Sequence, residues 1–363
     1  MSPPTQSSSS IERPRESLPG YASPTTGFYS LLPVSMIPYA QLLRLHNLPG
    51  YLFFYYPYLN GALYGSLTAS PPIPPKALLS ALTVLAACMF FLRASALILN
   101  DILDREFDAK VTRTRLRPLA RGAITPLQGY MWMAVHMLCF IAVTWAGLPE
   151  QCLWLSIPHA LLQAAYPPAK RFTDFTPFVI GPAWAFGLFV GAAAVGTDSF
   201  RGVPLLRSWS GEGASTAGEG HAALWCLVAA YACWGVVFES VYAHQDIESD
   251  EAAGVKSIAL RFREKTKGMV VGPVAVLQIA LLASAGLGMG AGALYYIFAC
   301  GVVGGSLGWM IWKVDLSVPD DCLSFFKNNC WYVGGGMAVG LAMEYRARIL
   351  KIGYGISPGK SFT

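Results

Sequence analysis

Nine apolar stretches, at about 48–68, 77–99, 126–147, 150–167, 177–196, 221–243, 268–288, 290–312 and 325–343, constrain this chain more than any other feature. A bilayer core about 30 Å thick is crossed by roughly 20 apolar residues in a helix, and only a segment that satisfies its own backbone hydrogen bonds can lie in it. Charged residues make up 13% of the sequence and hydrophobic ones 54%, against roughly 25% charged in a soluble domain, so a water-soluble fold is excluded. The pattern predicts an all-α membrane protein with nine transmembrane helices. Gly, Ala and Ser inside the stretches let helix backbones approach closely. The net charge of +5 is spread over separate loops and gives no surface for nucleic acid. Of the eight cysteines, Cys88, Cys139, Cys152, Cys226, Cys233 and Cys300 lie within apolar runs and none forms a CxxC pair, which points to neither a disulfide framework nor a zinc site.

The flanks divide the chain into a disordered leader at 1–35, a nine-helix membrane domain at 36–345 and a short tail at 346–363. The leader is rich in Ser and Pro, a composition unable to bury a core. It balances Arg13 and Arg15 with Glu12 and Glu16, unlike an Arg-rich mitochondrial transit peptide. Residues 36–46 are a candidate interfacial helix, and 197–220 reads as a flexible loop.

Charge placement carries the functional signal. Residues 100–121 hold ten charges and 239–267 hold eleven, so 21 of 47 charges fall in 51 residues. Four stretches separate these loops, and the short loop with Lys170 and Arg171 lies two stretches after the first, so all three face one side of the membrane. With the N-terminus on that side, it carries 18 Lys and Arg against seven opposite. The positive-inside rule therefore places the loops in the cytosol, although Arg346, Arg348 and Lys351 count against the scheme.

In the first loop, Asn100, Asp104 and Asp108 recur every four residues and share a helical face, with Asp101 at its edge. After the sixth stretch, Asp246 and Asp250 are again four apart. Carboxylates massed on one face repel one another unless a cation joins them. Oxygen-only clusters suit Mg²⁺, which prefers to be shared between carboxylates and substrate phosphates. Arg113, Arg115, Arg117 and Arg121 follow the first cluster, Lys170 and Arg171 end the fourth stretch, and Lys256 follows the second cluster. Bases so placed neutralise a diphosphate. The competing reading, that charged loops between spans are only solvated connectors, explains two matched clusters on one face poorly.

These residues resemble the UbiA superfamily of intramembrane prenyltransferases. The resemblance rests on Asn-Asp-x-x-Asp-x-x-x-Asp at 100–108, Arg-Thr-Arg-Leu-Arg-Pro-Leu-Ala-Arg-Gly at 113–122 and Tyr-Pro-Pro-Ala-Lys-Arg-Phe-Thr at 166–173. Tyr-Ala-His-Gln-Asp at 242–246 and Gly-Val-Lys-Ser at 254–257 complete it. It implies a nine-helix bundle around a central cavity and a Mg²⁺-dependent transfer of an isoprenyl group to an aromatic carbon. Two ions would be held by Asn100, Asp101, Asp104, Asp108, Asp246 and Asp250, with Asp104, Asp108, Asp246 and Asp250 catalytic. Arg113, Arg117, Lys170, Arg171 and Lys256 would hold the diphosphate, and Arg44, Tyr242 and His244 are candidates for the acceptor side. The likeness is strongest to eukaryotic 4-hydroxybenzoate polyprenyltransferases and to fungal meroterpenoid enzymes. Glu239 where Asp is common, Ser249 for a frequent Asp, and Arg-Leu-His-Asn-Leu-Pro-Gly at 44–50 depart from the ubiquinone pattern.

The expectation is therefore farnesyl transfer to a phenolic acid or polyketide in secondary metabolism, in an endomembrane such as the endoplasmic reticulum. The alternatives are a ubiquinone-pathway enzyme of the mitochondrial inner membrane, a terpene cyclase of the same superfamily, and a divalent-cation transporter, which would put acids near mid-membrane. His136 and His159 are expected to be packed and hydrogen-bonded. Phe53, Tyr55, Tyr56, Trp184, Phe186 and Phe189 are candidates for lining a prenyl channel. Arg93, a cation inside an apolar stretch, is given no role.

Overall fold

The computed structural model describes residues 21–22, 24, 26–197 and 218–353 of the 363. Among them every regular element is helical. A short α1 (Ile37–Leu42) leads into α2 (Leu48–Thr68), α3 (Pro75–Leu103) and a single turn α4 (Arg105–Asp108). There follow α5 (Pro126–Gly147) and α6 (Glu150–Phe172), and α7 (Pro177–Ala194), which bends at Phe186 between Pro177–Ala185 and Gly187–Ala194. The second half comprises α8 (Gly218–Tyr242), α9 (Ile247–Ala253) and α10 (Ile258–Phe262), then α11 (Lys267–Gly288) and α12 (Ala293–Lys313). It ends with α13 (Pro319–Asn329) and α14 (Gly335–Gly353), joined through a π-turn at Cys330–Gly334.

Local chemistry sets many of these ends. Proline occupies the first turn of α3, α5 and α13, where its missing N–H is not needed. Thr125 caps α5 in a reciprocal capping box with Gln128, satisfying two otherwise free backbone donors.

Helix α2 sits between α3, α7 and α14, while α8 packs on α7 and α11 and α3 packs on α5. The contact of α2 with α7 is backbone on backbone: a Cβ added to Gly61 would fall 2.1 Å from the Leu188 carbonyl oxygen, and one on Gly191 2.1 Å from that of Tyr58. In lipid, where apolar transfer supplies no drive between helices, such close approach is what holds a pair.

Among the described residues, six helices are long and apolar enough to cross a membrane: α3, α5, α7, the stretch Ala222–Ala252, α11 and α12. Their outward faces expose large apolar residues such as Leu127, Leu138 and Trp145 on α5 and Ile297 and Trp312 on α12, a surface that suits lipid and not water. The first, fourth and ninth stretches also form helices but are more polar. Helix α2 carries Tyr, Gly and the wholly buried Asn60, because it is enclosed by other helices and does not face lipid. Helix α6 carries His159, Gln163 and three internal prolines.

Two boundaries differ from expectation. Residues 26–35 form short 3₁₀ turns, Phe28–Leu31 and Val34–Met36, and are anchored by Tyr29, whose hydroxyl meets His46 Nδ1 at 3.1 Å. The tail expected from 346 continues α14 as far as Gly353, because Arg348 binds Glu344 at 2.9 Å and the Leu67 carbonyl at 3.0 Å. Residues 1–20, 198–217 and 354–363, including most of the expected leader and loop, lie outside the described residues.

Candidate active site

A cavity of about 440 Å³ opens where α3, α6, α7 and α8 end on one face of the bundle. Both acidic motifs reach it. The helical path bends at Asp104, whose backbone leaves the α region at φ −89°, ψ 1°. The Asp104 N–H still reaches the Asn100 carbonyl and the Asp108 N–H the Asp104 carbonyl, each at 2.8 Å. The four-residue spacing therefore survives the bend, and Asn100, Asp104 and Asp108 all line the cavity. Asp246 and Asp250 approach from the far side, on the short 3₁₀ turn Ala243–Asp246 and on α9.

Bases knit the two motifs together. Lys170 Nζ lies 2.8 Å from Asp104 Oδ2, and Arg117 Nη1 lies 2.8 Å from Asp108 Oδ2. Arg113 crosses from the first motif to the second, holding Asp246 in a forked pair with Nε 2.8 Å from Oδ1. Burial pulls the Arg113 and Arg117 guanidiniums down, but their aspartate partners outweigh it and raise both. Burial raises the Asp108 carboxyl against the opposing pull of Arg117. Arg171 donates to the Leu103 carbonyl at 2.9 Å. The Lys256 N–H bonds the Lys170 carbonyl at 2.9 Å and its ammonium meets the Phe172 carbonyl, fastening the second motif's loop to the end of α6. Gly254, at φ +73°, ends α9 in the left-handed conformation that favours glycine.

Ten of the eleven residues expected at the site, from both motifs and from the basic set, line this cavity, as do Arg44 and Tyr242 among the acceptor candidates. Two of the expected residues, Asp101 and His244, lie outside the cavity lining. Asp101 turns away: 2% exposed, it accepts from Arg44 at 2.6 Å and Arg117 at 3.2 Å, so its oxygens brace the rim. Its place at the edge of the helical face had suggested a ligand. Desolvation lowers the Arg44 guanidinium, with Asp101 opposing the shift. His244 is buried with one ring nitrogen 3.0 Å from the Ser240 carbonyl and the other 3.2 Å from the Arg263 carbonyl. The 3₁₀ turn rotates it off the face that an α-helix would have given it.

Beneath the rim the cavity is aromatic and partly polar. Trp184 lines it, as do Phe54 and Phe326, backed by Phe53 and Phe238 with ring centres 4.1 Å apart. Among the six aromatics expected to line the channel, Trp184 is the one that does. Tyr166 donates to Glu239, and Gln163 lies deeper on α6. Sequence reasoning passed over Tyr166 and Gln163, though polar groups on a spanning helix are themselves a signal. His136 and His159 are packed as expected, on the Trp132 carbonyl and the Tyr58 hydroxyl.

The donor set tests whether Mg²⁺ suits this site. The Asn100 and Asp250 side chains face the cavity with no hydrogen-bond partner among the described residues, and their neutral and anionic oxygens are hard donors suited to Mg²⁺. The other aspartates hold bases, and among the described residues no three carboxylate, His or Cys groups already enclose an ion. The chemistry fits, with the ligands drawn from both motifs.

The model of the family described as the UbiA prenyltransferase family matches residues 58–333. Prenyltransferase ascA of Acremonium egyptiacum is 31% identical over 92% of this chain and 93% of its own length. The mitochondrial 4-hydroxybenzoate polyprenyltransferase of Saccharomyces cerevisiae is 31% identical over 89% of this chain and 80% of its own. A solved structure of a UbiA homolog from Archaeoglobus fulgidus bound to GPP and Mg²⁺ shares the fold, with a TM-score of 0.59 at 16% identity over 83% of this chain and 99% of that one.

Proposed function

The chain belongs to the UbiA prenyltransferase family and is an aromatic prenyltransferase of the membrane, and from that premise we propose that it moves a farnesyl group from its diphosphate to a ring carbon of a phenolic acid or polyketide in meroterpenoid metabolism. The observation that carries this reading is the meeting of two acidic motifs and their bases at the mouth of an aromatic chamber. Nine crossings, with α2, α6 and the α13–α14 pair joining the six apolar helices, and an endoplasmic-reticulum location with the rim in the cytosol complete the proposal.

Asn100, Asp104 and Asp108 on one side and Asp246 and Asp250 on the other would hold two Mg²⁺ ions. When bound, these draw electron density from the diphosphate and lower the barrier to breaking the allylic C–O bond. Lys170, Arg113 and Arg117 stabilise the departing diphosphate as its charge grows. The ring's π electrons form the new C–C bond to the allylic cation, and loss of the ring proton restores aromaticity. Trp184 and Phe54 keep water from the cation and present their ring faces to it.

A second reading, 4-hydroxybenzoate polyprenylation for ubiquinone, is supported by the identity to the yeast enzyme.

Membranes containing the protein, assayed with C10, C15 and C20 diphosphates against phenolic acids with and without Mg²⁺, test the proposal. Mg²⁺-dependent transfer of C15 is expected. Rescue of a ubiquinone-deficient strain by long-chain transfer would select the second reading, and a hydrocarbon released from farnesyl diphosphate alone would point to cyclisation.

A further inference from the structure

Resting on the aromatic-acceptor reading, we infer that Arg93 is the receptor for a carboxylate on the acceptor, which makes that acceptor an aromatic acid and not a neutral phenol. Arg93 is 4% exposed, lies in the middle of α3 and lines the cavity. Its Nη1 donates to the Leu43 carbonyl at 2.9 Å and its Nε to the Gly50 carbonyl at 3.3 Å. A guanidinium has five N–H donors, so the rest, including all of Nη2, are not engaged by the described residues. No carboxylate among them lies within ion-pair distance. Arg44, the cation first expected to meet the acceptor, is instead neutralised by Asp101 at 2.6 Å.

An uncompensated cation inside a membrane helix is costly and is kept where it meets a partner. The Arg93 backbone stands seven residues before Asn100, about 10 Å along α3, and its guanidinium is held at the Leu43 and Gly50 carbonyls, apart from the carboxylate-paired bases of the mouth. That distance spans a near-attack gap of about 3–3.5 Å and one aromatic ring with a substituent beyond it. Phe54, whose ring centre is 5.8 Å from the Arg93 guanidinium carbon, supplies a flat wall, and Ala96 and Gly50 leave room beside it. A guanidinium fork matches a carboxylate with two parallel hydrogen bonds.

The test compares a hydroxybenzoic acid with its methyl ester on the full-length protein in detergent. Equilibrium binding is read by tryptophan fluorescence without Mg²⁺ or diphosphate, and turnover is read separately. The wild type is expected to bind the acid at least tenfold more tightly than the ester. Arg93→Gln is expected to abolish that preference while leaving KM for the prenyl diphosphate within about twofold, and Arg93→Lys to keep part of it. Equal binding of acid and ester by the wild type overturns the inference. So does an Arg93→Gln variant that weakens both alike and shifts the diphosphate KM, because Arg93 would then only anchor the backbone at Leu43 and Gly50. Should Arg93→Gln fail to fold, the wild-type pair and Arg93→Lys still decide: a lysine variant that binds acid and ester alike counts against it. Preferential binding of the acid with no prenyl transfer to any acceptor would instead sink the proposed function, so the two failures read differently.

Discussion

Asp101 and Asp104 are three residues apart and chemically alike, yet their surroundings give them different work. Asp101 is sealed between Arg44 and Arg117, while Asp104 faces the cavity with Lys170. Asp104→Asn is expected to lower turnover at least a hundredfold, about 2.7 kcal/mol of barrier, with little change in thermal unfolding. Asp101→Asn leaves two guanidiniums short of an anion and is expected to cost about 3 kcal/mol of stability, seen as a fall in melting temperature in detergent. Comparable metal-dependent losses of activity from both variants, with stability untouched, would return Asp101 to the metal site. The four-residue spacing of Asn100, Asp104 and Asp108 was legible because local helix geometry fixes it. The partner of Asp101 was not, since Arg44 lies 57 positions away and nothing in a linear pattern reports that approach. His244 was misplaced for a local reason, a 3₁₀ turn in place of an α-turn, which changes the rotation per residue and thus the face.

At the scale of elements, the apolar stretches located the helices because length and composition suffice for that. They gave no account of which helices are enclosed. Gly61 and Gly191 decide it for α2 and α7, by letting two backbones touch. Gly191→Val puts a side chain where the Tyr58 carbonyl already lies and is expected to destabilise the pair by at least about 2 kcal/mol. Gly308→Ala, on the open face of α12 where an added Cβ meets nothing within 4 Å, is expected to change stability by under about 0.5 kcal/mol. Unfolding of both variants in the same detergent checks this, and an equal response would remove the close contact as the reason for the α2–α7 pairing. The bends at Asp104 and Phe186 were likewise invisible in composition, although the first keeps the acidic face on the cavity and the second continues α7 past Trp184.

For the whole molecule, the even number of apolar stretches between the charged loops put them together on one face, and the cavity mouth gathers all three. The proposed cytosolic orientation of these loops is open to a direct test with a membrane-impermeant thiol reagent on intact vesicles. Cysteines introduced at the exposed Lys110 and Glu251 are expected to label from the cytosolic side, and one at the exposed Lys76, at the opposite end of α3, only after permeabilisation. Labelling of Lys76→Cys first would invert the topology. The link between Arg113 and Asp246 ties residues 133 positions apart in sequence. If Arg113 receives the diphosphate as proposed, each incoming substrate must displace an anion the protein already supplies, so the apparent affinity equals the intrinsic affinity reduced by the work of that exchange. On the proposed reading the mouth works as a selective ion exchanger, admitting a multivalent phosphate accompanied by its own counter-cations and discouraging monovalent anions.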